Sequence, residues 1–213
     1  MNTLGYGNPI RNYLPVLLES NYLDSLLPEM QSYPYIDVNT QEAVDEINQL
    51  VISTNNIASN EEIQKRYLFY DESFKDYIID VLSSKNIPKE DVVKIINDLD
   101  ADIAPLLIKL KYFYQRVRPM QLAYFYEMKL YPFSSKTVDS PSYPSGHALQ
   151  ARIFCEVLGN KYPIYYTQLL QLAEDISNSR IMLGVHYPSD CDFSKYIASV
   201  IMQHPEFRKK YKL

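Results

Sequence analysis

Between residues 59 and 82 of this 213-residue chain, Ile63, Tyr67, Tyr70, Phe74, Ile78 and Val81 recur every three or four positions. That spacing follows the 3.6-residue turn of an α-helix and excludes the two-residue alternation of a half-buried strand. Ser59 and Glu62 have the spacing of a capping box at its start. The same helical pattern returns in "PKEDVVKIINDL", opened by Pro88, and in "PLLIKLKYFYQRVR", opened by Pro105. It returns again at 145–159, 164–183 and 188–203. Residues 1–40, punctuated by Gly and Pro, read as an irregular arm with a short helix near 13–27. No convincing alternating strand occurs and no internal repeat is visible. The expected fold class is all-α, one helical bundle over residues 1–213.

Composition narrows what such a bundle can do. A net charge of −5 argues against nucleic acid or an anionic membrane as partner, since either needs a basic surface. The longest apolar runs, such as "IAPLLI" at 103–108, fall far short of the roughly 18–20 residues that span a bilayer, so no transmembrane segment is expected. The opening "MNTLGYGNPIRNYLP" lacks the charged and apolar succession of a secretory signal. With only two cysteines, Cys155 and Cys191, and no CxxC pair, reduced thiols and a cytoplasmic location are the expectation.

The acidic "DLDAD" at 98–102 lacks the glycine and the terminal acid of an EF-hand loop and reads as a solvated, helix-terminal cluster. Three other segments carry more. In "KYFYQRVRP", Lys111 and Arg118 are seven residues apart, almost two helical turns, which predicts both cations on one helix face. In "YPSGH", Pro144 and Ser145 suit a helix entry, and Gly146 lets a ligand approach the backbone. Free N–H groups there form an anion site, with His147 in the same first turn. In "SRIMLGVHYPSD", Arg180 comes late in a helix that Gly184 ends, and Pro188 starts the next. Asp190, four residues past His186, is placed to accept from Nδ1–H and leave Nε2 with a free lone pair.

In order and without a mismatch, the three segments resemble the signature KxxxxxxRP…PSGH…SRxxxxxHxxxD of the type-2 phosphatidic acid phosphatase (PAP2) superfamily. The wording "QRVRP", "SYPSGH" and "SDCD" is most similar to the soluble class A bacterial non-specific acid phosphatases. The motifs span about residues 105–203; the first hundred residues contribute none. The resemblance implies the helical bundle shared with the vanadium haloperoxidases. It also implies a phosphatase acting on a small-molecule phosphomonoester.

Chemistry and resemblance agree on the roles. Phosphoryl transfer spreads negative charge over three equatorial oxygens, and Lys111, Arg118, Arg180, Ser145 and Gly146 are the expected donors to them. His186, oriented by Asp190, is the expected nucleophile, and His147 the acid and then the base. Three cations make a metal unnecessary, so no cofactor is expected and vanadate should inhibit. Vanadate is a cofactor only under the alternative of a haloperoxidase; a phosphate-binding module without catalysis is the other alternative. The physiological substrate and any oligomeric state stay open.

Overall fold

A computed structural model describes residues 6–9 and 11–213; residues 1–5 and Ile10, part of the stretch read for a secretory signal, lie outside the described residues. The helices are α1 (Leu14–Leu18), α2 (Leu27–Gln31), α3 (Gln41–Ala58), α4 (Glu61–Ser83), α5 (Lys89–Tyr114), α6 (Pro119–Phe125), α7 (Gly146–Lys161), α8 (Tyr166–Met182), α9 (Pro188–Gln203) and α10 (Pro205–Tyr211). Among the described residues there is no strand. No helix among them is long and apolar enough to cross a membrane.

The helix expected near 13–27 is two short helices and an intervening 3-10 turn over Tyr22–Leu26. Glu19 turns extended after α1, and the Asn21 side chain accepts from Leu23 N to start the chain coiling again. The cap of α4 is Asn60 rather than Ser59: its side chain accepts from Ile63 N at 3.1 Å. The two helices expected around Pro105 are one, α5, which carries Pro105 in its interior. Its buried stripe Val92, Ile96, Leu99, Ile103, Leu106 and Leu110 runs unbroken past the proline. Burial of that stripe outweighs one missing backbone hydrogen bond. The "DLDAD" aspartates are therefore mid-helix, and each is paired: Asp98 with Lys94, Asp100 with Lys75, Asp102 with Lys210.

α7 is the centre of the bundle. Ala148, Leu149, Ala151, Ile153, Phe154, Cys155, Val157, Leu158 and Gly159 are buried, which leaves little of its surface to solvent. It packs on α8, α9, α5 and α4. A Cβ at Gly159 would stand 2.6 Å from the Tyr166 ring, so glycine sets how closely the α7–α8 corner closes. α3 and α6 form a smaller apolar cluster with Ile47, Leu50, Val117, Leu122 and Tyr187 beside the main core. Cys155 and Cys191 are free and buried.

Candidate active site

Lys111 sits in the last turn of α5, but α5 stops at Tyr114, where Gln115 takes a left-handed conformation (φ 49°). Arg118 thus does not share a helix face with Lys111, as the seven-residue spacing predicts. It is the extended residue that precedes Pro119 at the start of α6, and a residue before proline disfavours helical geometry. The two cations meet all the same, because the loop 140–141 receives both. Lys111 Nζ donates to the Pro141 carbonyl at 2.6 Å, and Arg118 Nε donates to the Ser140 carbonyl at 2.9 Å.

Gly184, with φ +73°, ends α8 in the left-handed turn that glycine favours. A Cβ there would meet Thr54 at 2.8 Å. The N–H groups of Val185 and His186 both return to the Arg180 carbonyl, at 3.1 and 3.3 Å, which ties the second histidine to the end of α8. Pro188 then opens α9, and Asp190 in its first turn accepts from Tyr187 N at 3.0 Å. His186 Nδ1–H donates to Asp190 Oδ2 at 2.9 Å, while Arg118 Nη1 donates to His186 Nε2 at 2.9 Å. The Ser142 hydroxyl donates to Asp190 Oδ2 as well. The imidazole is therefore held as the Nδ1–H tautomer, its Nε2 lone pair turned to Arg118.

α7 begins beside α9: Ser145 N donates to the Asp190 carbonyl at 3.2 Å, and Ser194 Oγ donates to the Ser145 carbonyl at 2.9 Å. The Ser145 hydroxyl caps α7 by accepting from Ala148 N, which leaves its own proton to donate. His147 Nε2–H donates to the Asp71 carbonyl at 3.0 Å. Since a carbonyl only accepts, Nδ1 is the ring atom left to exchange a proton.

A cavity of about 250 Å³ is lined by Lys111, Arg118, Gly146, His147 and His186. Thr137 and Ser140 from the 131–141 loop, and Tyr13, Val16, Leu107 and Ile108, complete much of its wall. Ser145, Arg180 and Asp190 stand just behind that wall, fully buried. The Arg180 guanidinium is held by Asp71, through Nη1, and by Thr137 Oγ1 at 3.1 Å.

Electrostatics follow from crowding cations in a dry place. Burial and the charges of Arg118 and Arg180 push Lys111 well below the ordinary lysine range. Burial brings Arg118 down to about 10. His186 is held well below an ordinary histidine by burial and Arg118, and His147 by burial and Arg180, so both rings are neutral. Burial by itself would raise Asp190, but Arg116 and its hydrogen bonds hold it below the usual carboxylate range.

Four contributors escaped the motifs. Asp71 on α4 gathers Arg180, Ser135, Thr137 and Lys136 N, next to a break in α4 at Ser73 (φ −144°, ψ 27°). Arg116, inside "QRVRP", bonds Asp190; Glu46 on α3 bonds Arg116; Ser142 bonds Asp190. Arg116 and Ser142 lay in segments the sequence singles out, "QRVRP" and "SYPSGH". Glu46 and Asp71 come from the half of the chain without motifs.

Residues 101–204 match the family model described as the PAP2 superfamily. The non-specific acid phosphatase of Salmonella typhimurium is 30% identical over 104 residues, 46% of this chain and 41% of that protein. The non-specific acid phosphatase of Providencia stuartii is 26% identical over 136 residues, 61% of this chain and 53% of that protein. The chain thus spans about half or less of the length of these curated relatives. A solved structure, the transmembrane PAP2 type phosphatidylglycerolphosphate phosphatase of Bacillus subtilis, aligns with a TM-score of 0.36 and 16% identity, over 80% of this chain and 98% of that one. The family match runs from the middle of α5 to the end of α9 and contains all three motif segments, so over residues 101–204 the chain is similar to the PAP2 superfamily.

Proposed function

We propose that this protein is a phosphatase that hydrolyses small-molecule phosphomonoesters without a metal ion, through a phosphohistidine on His186. The observation that carries the reading is the His186–Asp190 hydrogen bond of 2.9 Å, which leaves Nε2, held by Arg118 Nη1 until substrate arrives, as the unprotonated nucleophilic atom at a cavity edged by cations.

In the first step the Nε2 lone pair attacks phosphorus, and the N–P bond forms as the ester P–O bond breaks. The leaving oxygen takes a proton from His147, whose Nδ1 is not engaged by the Asp71 carbonyl. The imidazolium-like charge that grows on His186 is stabilised by Asp190 through Nδ1–H. In the second step Nδ1 of His147 takes a proton from water, whose oxygen attacks phosphorus. The N–P bond then breaks and its electrons return to Nε2, releasing inorganic phosphate.

A dianionic phosphoryl group in the cavity reverses the electrostatics that hold Lys111 and His147 low, because a nearby anion favours their charged forms. His147 thereby acquires the proton that it delivers. Arg118 turns its Nη1–H from Nε2 to a phosphoryl oxygen, which uncovers the nucleophile when the substrate arrives. The N–H of Gly146, at the positive end of α7, adds a backbone donor. Both buried carboxylates of the site are already matched to arginines, Asp190 to Arg116 and Asp71 to Arg180, and are poorly disposed to recruit a divalent ion.

Rapid quenching during turnover of a radiolabelled phosphomonoester tests the reading. An acid-labile phosphoenzyme is expected with the wild type and none with His186→Ala. His147→Ala should still be labelled from a nitrophenyl phosphate, whose leaving group needs little help, and should accumulate the intermediate. Label on His186→Ala and none on His147→Ala would exchange the two roles.

A further inference from the structure

We propose that Arg116 and Glu46 are positioning residues, which hold Asp190 and through it keep Nε2 of His186 aimed at the cavity. The inference rests on the reading of His186 as nucleophile and adds two residues that touch neither substrate nor the reacting atoms.

The Asp190 carboxylate is divided between two tasks. Oδ2 receives His186 Nδ1–H, Tyr187 N and the Ser142 hydroxyl, while Oδ1 receives Arg116 Nη1 at 2.7 Å. With both oxygens committed, the carboxylate has no freedom to rotate, and the direction of the His186 hydrogen bond is set. Arg116 is fixed in turn. Its Nη1 also donates to Ser189 Oγ at 2.7 Å, its Nη2 donates to Glu46 Oε2 at 2.7 Å, and its guanidinium carbon lies 3.9 Å from the centre of the Tyr187 ring. Glu46 closes the loop back to α9: Oε1 accepts from Ser189 N at 2.8 Å and Oε2 from Ser189 Oγ at 3.0 Å. The result is an alternating series, Glu46 negative, Arg116 positive, Asp190 negative, ending on His186.

Stability does not account for this series. The Arg116 and Asp190 side chains are both wholly inaccessible to solvent, and burying ions costs several kcal/mol apiece that their attraction barely offsets. An apolar trio of the same volume would hold α3 against α9 as well. What the charges add is direction and electrostatic balance. Around His186 stand Asp190 from α9, Arg118 from the start of α6 and Lys111 from α5. Arg116 draws on Asp190, and Glu46 neutralises Arg116 so that Asp190 can still support charge on the imidazole.

Two variants separate positioning from mere packing. Glu46→Gln preserves the shape and, through its one oxygen, the bond from Ser189 N, but its amide nitrogen cannot accept from Arg116 Nη2 or Ser189 Oγ. Arg116 is left to Asp190 alone, so His186 should become harder to protonate. Glu46→Gln combined with Arg116→Met removes equal and opposite charges, relieves Asp190 of its cation and should make His186 easier to protonate. Protonation is followed by the ring ¹⁵N resonances of His186 across pH and by the acid limb of kcat/KM. We expect shifts of opposite sign, each about half a pH unit, which is roughly threefold in neutral imidazole at fixed pH. Shifts of the same sign, or none, overturn the proposal. The ¹⁵N titration decides it whether or not a phosphoenzyme forms, whereas absence of a phosphoenzyme in the wild type defeats the nucleophile reading alone.

Discussion

Asp71 and Arg180, 109 residues apart in the chain, form an ion pair in which both side chains are shut away from solvent. The pair joins α4, from the half of the chain without motifs, to the end of α8. Burial alone would raise the Asp71 carboxyl, but Arg180, Ser135 and Thr137 hold it below its ordinary range. Asp71→Asn keeps the shape and removes the charge that Arg180 needs. Breaking a buried pair from one side typically costs about 3–5 kcal/mol. Urea unfolding should report a loss of that order; a variant within about 0.5 kcal/mol of wild type would show that Arg180 finds its compensation elsewhere.

Arg180 is also expected from its motif to donate to a phosphoryl oxygen, and Arg180→Lys separates the two roles. Lysine keeps the charge opposite Asp71 but lacks the planar fork that can hold Asp71 and a phosphoryl oxygen together. Turnover should fall about 10²–10³-fold, as for loss of one transition-state donor, with a smaller effect on stability than Asp71→Asn. Near-normal turnover would leave Arg180 as a structural partner of Asp71 only.

The two neutral histidines make folding stability depend on pH. Both are held below the ordinary value of 6.5 in the folded protein, so at lower pH the unfolded chain binds protons that the folded chain refuses. Stability should therefore decline as pH falls below about 6.5. The depressed carboxyls of Asp71 and Asp190 extend the decline below the ordinary carboxylate value of 3.8. Thermal midpoints from pH 8 to 4 should drop in the wild type and drop less in a His147→Gln, His186→Gln double variant. Equal slopes in the two proteins would mean that the histidines are not buried neutral.

Chelation tests the charge argument directly. If Lys111, Arg118 and Arg180 neutralise the phosphoryl group as expected, EDTA should leave phosphatase activity intact. Orthovanadate should inhibit, because a trigonal-bipyramidal anion resembles the transferring group. Activity lost on chelation and restored by a divalent cation would refute metal independence.

Much of this molecule was legible in the order of its residues, and for local reasons. A 3.6-residue apolar period, Gly184 past the end of α8 and Pro188 at the start of α9 act within one or two turns of chain, so they read correctly from a single sequence. The His186–Asp190 hydrogen bond belongs to the same class, since four residues and a helix start determine it. Pro105 and the Lys111–Arg118 spacing misled because each was weighed locally. Burial of one face carries α5 through the proline, and the left-handed Gln115 ends the helix before Arg118. The remaining features depend on contacts with no sequence periodicity. Glu46 lies 70 residues from Arg116 and 143 from Ser189, and Asp71 reaches Arg180 only because α4 packs on α8. No local rule selects one glutamate or aspartate from the 26 acidic residues of the chain. Only packing decides which acids lose their water, and a carboxylate that loses its water needs a cation and hydrogen-bond donors in its place, as Asp71 and Asp190 have.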